Sequence, residues 1–123
     1  MGYAMEMHLP SFHDWFLTSV SVDVNTLTAT VTLRSDNQHD VVKLLFEGAP
    51  RLLFEGFAAQ NIVSDVRIID VDSAEYPAAV AQLEEAHPWG NAWPKRKIAR
   101  FSASLGVEGY IEFDRVTLAE NSA

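Results

Sequence analysis

The chain has 123 residues, 48% of them hydrophobic and 21% charged, which suits one domain that buries a core without metal or disulfide staples. Nine Lys and Arg against seventeen Asp and Glu give a net charge of −8, a balance that opposes nonspecific binding to nucleic acid or anionic lipid. The lack of cysteine excludes disulfides and thiol chemistry, and no run approaches the roughly 18 apolar residues of a membrane-spanning helix.

Residues 1–8 have neither a basic nor an apolar region of the secretory kind, so a cytoplasmic chain is expected, with residues 1–9 as a disordered end. Pro10 to Phe16 reads as a short turn that Ser11 could cap. Phe12, Trp15 and Phe16 recur there at helical spacing, as an aromatic lid on one end of the core would. Residues 17–34 then form a β-hairpin whose register is written in the sequence. With a turn at Asn25-Thr26, Val24 faces Leu27, Val22 faces Ala29, Val20 faces Val31 and Thr18 faces Leu33 on one side. Asp23, Ser21 and Ser19 face Thr28, Thr30 and Thr32 on the other, and a slip of one residue spoils both faces. Because Thr tolerates positive φ poorly, a longer loop through Val24 or Leu27 competes with the two-residue turn.

A polar connection at residues 35–40 leads to an internal echo, Leu44-Leu45-Phe46-Glu47-Gly48 and Leu52-Leu53-Phe54-Glu55-Gly56, with Pro50 breaking the two copies apart. The first copy predicts a strand with Val42, Leu44 and Phe46 inward; the second fits a short strand or a helical turn. Residues 62–71 predict a central strand, with Ile62, Val66 and Ile68 on one side and Val63, Ile69 and Val71 on the other. A helix over 74–86 is signalled by Asp72-Ser73, by Glu75 in the first turn and by Tyr76, Val80 and Leu83 at one face, with Pro77 limiting its start and Pro88 its end. After the loop of residues 87–94 and the cations Lys95-Arg96-Lys97, a second hairpin is expected over 98–105 and 109–118, with Phe101 facing Phe113 and Ser102 facing Glu112. Residues 119–123 should fray. The sum is a single α+β domain over residues 1–123: an antiparallel-dominated sheet of about six strands with one main helix on one face.

No local signature of catalysis, phosphate binding or cofactor binding is present, and the four histidines lack metal-ligand spacing, so the expectation is no catalytic, cofactor or metal residue. His13-Asp14-Trp15 is the nearest approach to a general-base cluster, but a capped turn with a solvated His13 accounts for it. Glu84 and Glu85 read as a solvated helix face. Trp89 and Trp93, in a loop punctuated by Pro and Gly beside Lys95 and Arg96, form the candidate contact surface for a protein partner; cover over the sheet is the competing reading.

Together, His13-Asp14-Trp15, the hairpin to Leu33, Phe46-Glu47-Gly48 and Asn61-Ile62-Val63 with Asp65 resemble a diffuse set of small bacterial proteins that includes immunity proteins of polymorphic toxin systems. The resemblance implies a non-enzymatic inhibitor that binds a cognate toxin, and an acidic chain facing a basic partner fits such a role. A small-ligand-binding protein or modest enzyme, with a pocket between sheet and helix near His13, Asp14, Trp89 or Trp93, is the alternative. A homodimer through an edge strand is compatible with either.

Overall fold

A computed structural model describes residues 2–4, 9–37, 39–90 and 93–122. In chain order they form β1 (Gly2–Ala4), β2 (Phe16–Asp23), β3 (Thr28–Arg34), β4 (Asp40–Glu47), β5 (Leu52–Glu55), β6 (Ile62–Ile69), α1 (Tyr76–Ala86), β7 (Lys97–Leu105), β8 (Glu108–Phe113) and β9 (Arg115–Ser122). The expected α+β domain of about six strands is overturned. The described residues are mostly β, one antiparallel sheet ordered β1-β9-β4-β3-β2-β6-β7-β8-β5 with a single helix of 11 residues. Eight of the strands lie from Phe16 onward and β1 adds three residues at an edge. The count rises because the second copy of the echo is a strand and the segment read as one strand over 109–118 breaks at Asp114. The tail expected to fray is paired instead, with Ser122 opposite Asp40 and Ala119 opposite Lys43. Residues 1, 5–8 and 123 of the expected loose ends lie outside the described residues.

The sheet bends at one corner. β4 turns into β5 through residues 48–51 while β8 passes into β9 through Asp114, and the two bent ribbons stay paired, β4 with β9 and β5 with β8. Gly48 makes the turn at φ 61, and a Cβ there would stand 2.1 Å from Asp114 Oδ2, so glycine suits both the backbone angle and the close approach. Following the ladders from β4 through β3, β2, β6, β7 and β8 leads into β9 and back to β4. The inner face buries one core in which the Phe46 ring lies edge-on to Phe113 at 5.1 Å and to Phe101 at 6.1 Å. Phe12 is buried in the same core and meets Trp15 edge-on, as a lid at its end.

The first hairpin keeps the expected register from Ser19 opposite Thr32 to Asp23 opposite Thr28. A bulge at Thr18 then shifts it, so that Leu17 rather than Thr18 faces Leu33. The longer loop wins: residues 24–27 form the turn, Asp23 Oδ1 accepts from the Asn25 and Thr26 amides, and Leu27 sits at φ 53. A leucine in the left-handed region is strained. Leu27→Asn, which tolerates that angle and removes a half-exposed apolar side chain, should raise stability by about 1 kcal/mol; an unchanged urea midpoint would count against strain at this position.

The second hairpin differs from expectation by four residues: Phe101 faces Gly109 instead of Phe113. The end of β7 stays paired with β6, Ala103 opposite Val63 and Leu105 opposite Ile62, while the connection to β8 is held by Asn61, whose Oδ1 accepts the amide of the buried Val107 at 3.0 Å. An even-numbered slip leaves the alternation intact, which is why the pattern could not reveal it. Gly109 accommodates the Phe54 ring, which would lie 2.2 Å from an added Cβ. Within β6, register shifts near Val63 and Ser64 put Val63 and Val66 in the inner core together, where strict alternation had set them on opposite sides. Ile69 faces the other way, against the helix. Helix α1 starts two residues later than expected, at Tyr76, and packs Tyr76, Ala79 and Leu83 on the outer face of β6 and β7, against Ile69 and Ile98. No helix among the described residues is long and apolar enough to cross a membrane.

Candidate functional site

The bend that joins β4 to β5 delivers Arg51 to the outer face beside α1. There the Glu112 amide donates to the Arg51 carbonyl at 3.0 Å, so the two residues are neighbours across the β5–β8 ribbon. Their side chains, both almost wholly buried, form a fork: Arg51 Nε donates to Glu112 Oε2 at 3.1 Å and Nη2 to Oε1 at 2.9 Å. Nη1 donates to Glu84 Oε2 on α1 and to the His87 carbonyl at the helix end, both at 2.8 Å. Glu84 Oε1 in turn accepts the Gly90 amide at 2.7 Å. One guanidinium therefore ties the sheet corner, the helix and the loop that follows it.

The loop folds back over this hub. Arg51 Cζ stands 4.8 Å from the centre of the Trp89 ring, a cation–π distance, and Trp89 and Trp93 lie 4.1 Å apart. Arg96 Nε donates to Asp114 Oδ1 at 2.9 Å while its guanidinium lies 5.9 Å from Trp93, and the Tyr76 hydroxyl donates to the Arg96 carbonyl at 2.7 Å. Between helix, loop and sheet is a cavity of about 390 Å³ whose walls include Tyr76, Glu84, Trp93, Lys95 and Glu112. Asn91 and Ala92 of the loop lie outside the described residues.

Burial works against the charged form of Arg51, yet hydrogen bonds to Glu112 and Glu84 outweigh it and hold its pKa above the ordinary arginine value. The hydrogen bond from Arg51, helped by the Gly90 amide, holds Glu84 below the usual carboxylate range. A depressed carboxylate stabilises the fold above its unfolded pKa of about 4.3 and loses that contribution as pH falls through the folded value. Urea midpoints followed from neutral pH into the acid range should therefore drop for wild type, and the drop should be shallower for Glu84→Gln. Glu75, held low by Arg67, is present in both proteins and cancels from the comparison. Parallel curves would remove Glu84 from the account.

Of the residues singled out in the sequence, Trp89 and Trp93 are brought together, Lys95 lines the cavity, and Arg96 turns to Asp114. His13 and Asp14 are elsewhere. His13 is within 3.1 Å of the Ser64 carbonyl, and its 3.5 Å approach to Asp14 is solvent-exposed. His87 instead reaches the Leu52 carbonyl. Arg51, Glu84 and Glu112 were not legible as a site. Glu112 was expected on a wet face opposite Ser102, and Glu84 on a solvated helix face; the covering helix turns both into partners of one arginine. The signal that could have found them is that a face covered by a helix must pair whatever charges it carries. Chemically the hub is occupied, since both carboxylates accept from Arg51. Among the described residues no group of three His, Asp or Glu side chains converges as metal ligands. No family model, curated protein or solved structure matches this chain.

Proposed function

We propose that this chain is a non-catalytic protein-interaction module, acting in the cytoplasm, whose contact surface is Trp89 and Trp93 with Lys95 and Arg96 at the rim. The observation that carries this reading is the indole pair: in tilted contact, held from beneath by the Arg51 hub, and still 36% and 38% exposed. Large aromatic side chains fixed in place before binding lose little freedom on contact, which is how interface anchors gain affinity. A net charge of −8 favours encounter with a basic partner, and the resemblance to immunity proteins makes a toxin the partner to look for first. The cavity beside the loop supports a second reading, a small-ligand site, because about 390 Å³ is within the size range of such pockets.

The test is affinity capture from lysate of the source organism, followed by titration of the purified partner against wild type, Trp93→Ala and Lys95→Glu. An anchor role predicts at least about a tenfold loss for Trp93→Ala. Equal affinity for all three proteins would sink the assignment of this surface. A small molecule that raises the melting temperature of wild type but not of Trp93→Ala, with no protein captured, would favour the cavity.

A further inference from the structure

Among the described residues, one edge of β2 is open. β3 covers one side of the strand, but on the other side β6 meets it only where Phe16 faces Ile62. The topology explains this: from that joint β6 runs back past Trp15 and Asp14, with the Val63 amide on the Trp15 carbonyl and the Asp14 amide on the Val63 carbonyl, while β2 runs forward. From Thr18 to Asp23 no backbone group on that side has a partner among the described residues. Thr18 is the bulged residue, its hydroxyl donating to the Thr32 carbonyl, so the regular edge begins at Ser19.

Sheets ordinarily guard such an edge with lysine, proline or inward charge. Ser19-Val20-Ser21-Val22 has none of these, and the Asp23 carboxylate is engaged in the turn. The same end of the hairpin leaves Val22 57%, Val24 79% and Leu27 50% exposed. Other edges are treated differently. The Leu52 carbonyl of β5 is met by His87, and the part of β6 beyond Ser64 has the Asp65–Arg67–Glu75 ion pairs beside it.

We propose that the open edge of β2 is a self-association edge, on which a second copy of this chain pairs its own β2 antiparallel about a two-fold axis at Ser21. In that register Ser21 faces the partner's Ser21, Val20 faces the partner's Val22, and Ser19 faces the partner's Asp23. Valine then meets valine on the core-side face, and no two carboxylates meet. An axis at Val20 would bring the bulged Thr18 against Val22, and one at Val22 would need Val24, which is in the turn. The stretch is its own complement, which selects a second copy over a foreign strand. Two strands bury little area, so the dimer is weak. Because each copy carries −8, it tightens as salt screens the repulsion.

Sedimentation equilibrium should show wild type in reversible dimerisation that strengthens with added salt, and Val22→Lys as a monomer with an unchanged circular dichroism spectrum. The chain has no cysteine, so Ser21→Cys gives a clean second readout. Paired residues at the axis lie about 4.5–5.5 Å apart at Cα, within disulfide reach, and oxidation should link the two copies. Ser19→Cys should not link, its two thiols being four residues apart along the pair, about 13 Å. A wild type that stays monomeric at every concentration and salt, a dimer that Val22→Lys leaves intact, or equal cross-linking of the two cysteine variants would each overturn the proposal.

Discussion

Arg51→Met should lower the unfolding free energy by about 3–5 kcal/mol, the usual consequence of removing one member of a buried ion pair. Methionine approximates the stem's length, so the loss is chiefly electrostatic. Glu112 would be left buried with neither of its Arg51 hydrogen bonds, and the His87 carbonyl and Glu84 would lose the same donor. The double variant Arg51→Met/Glu112→Met should recover much of the loss, since an apolar replacement of both partners leaves no orphaned charge. Urea unfolding of the four proteins of this cycle measures the coupling. Tryptophan fluorescence gives an independent readout, because Trp89 rests on the guanidinium and should become more exposed in both proteins that lack Arg51. A single variant within about 1 kcal/mol of wild type would mean that the hub is not what holds the loop, and the surface proposed for partner binding would lose its platform.

Phe46→Ala should cost about 3–5 kcal/mol, as truncation of a buried phenylalanine does when the surroundings cannot close the cavity. Phe46 is on β4, just before the bend, and its ring touches Phe101 of β7 and Phe113 of β8. Those contacts hold the two limbs of the bent sheet against each other. Phe46→Leu keeps most of the volume and should lose less than half as much. If alanine and leucine were equally tolerated, the core would have to close by moving the limbs, and the corner at Gly48 and Asp114 would be a hinge instead of a fixed joint.

The sequence reading succeeded where the controlling interactions are local. The hairpin of residues 17–34 sorts apolar from polar on two facing strands at once, and the observed pairing from Ser19 to Asp23 is the one that sorting demands. It failed at Thr18 because the bulge sits at the joint with β6, a distant segment. The second hairpin slipped by four residues (Phe101 on Gly109 instead of Phe113); its connecting loop is tied through the Val107 amide to Asn61, a distant residue, and parity is blind to such a shift. For the same reason alternation could not say that Val22 leaves the covered part of the sheet. In the candidate site, the tryptophans were legible by residue type and loop chemistry. Arg51 and Glu112 were not, being 61 positions apart and each indistinguishable in isolation from a surface charge.

The place of β9 bears on how the chain is made. Residues 115–122 lie between β1 and β4, and pair with both. As the polypeptide leaves the ribosome, Gly2–Ala4 and Asp40–Glu47 therefore wait for a strand synthesised long after them, and until it arrives β4 presents a row of unpaired amides and carbonyls along one side. A nascent chain stopped before Arg115 can form the first hairpin and add β4 to it, but cannot cover that side, and in this half-built form the protein is most prone to clump with its own kind.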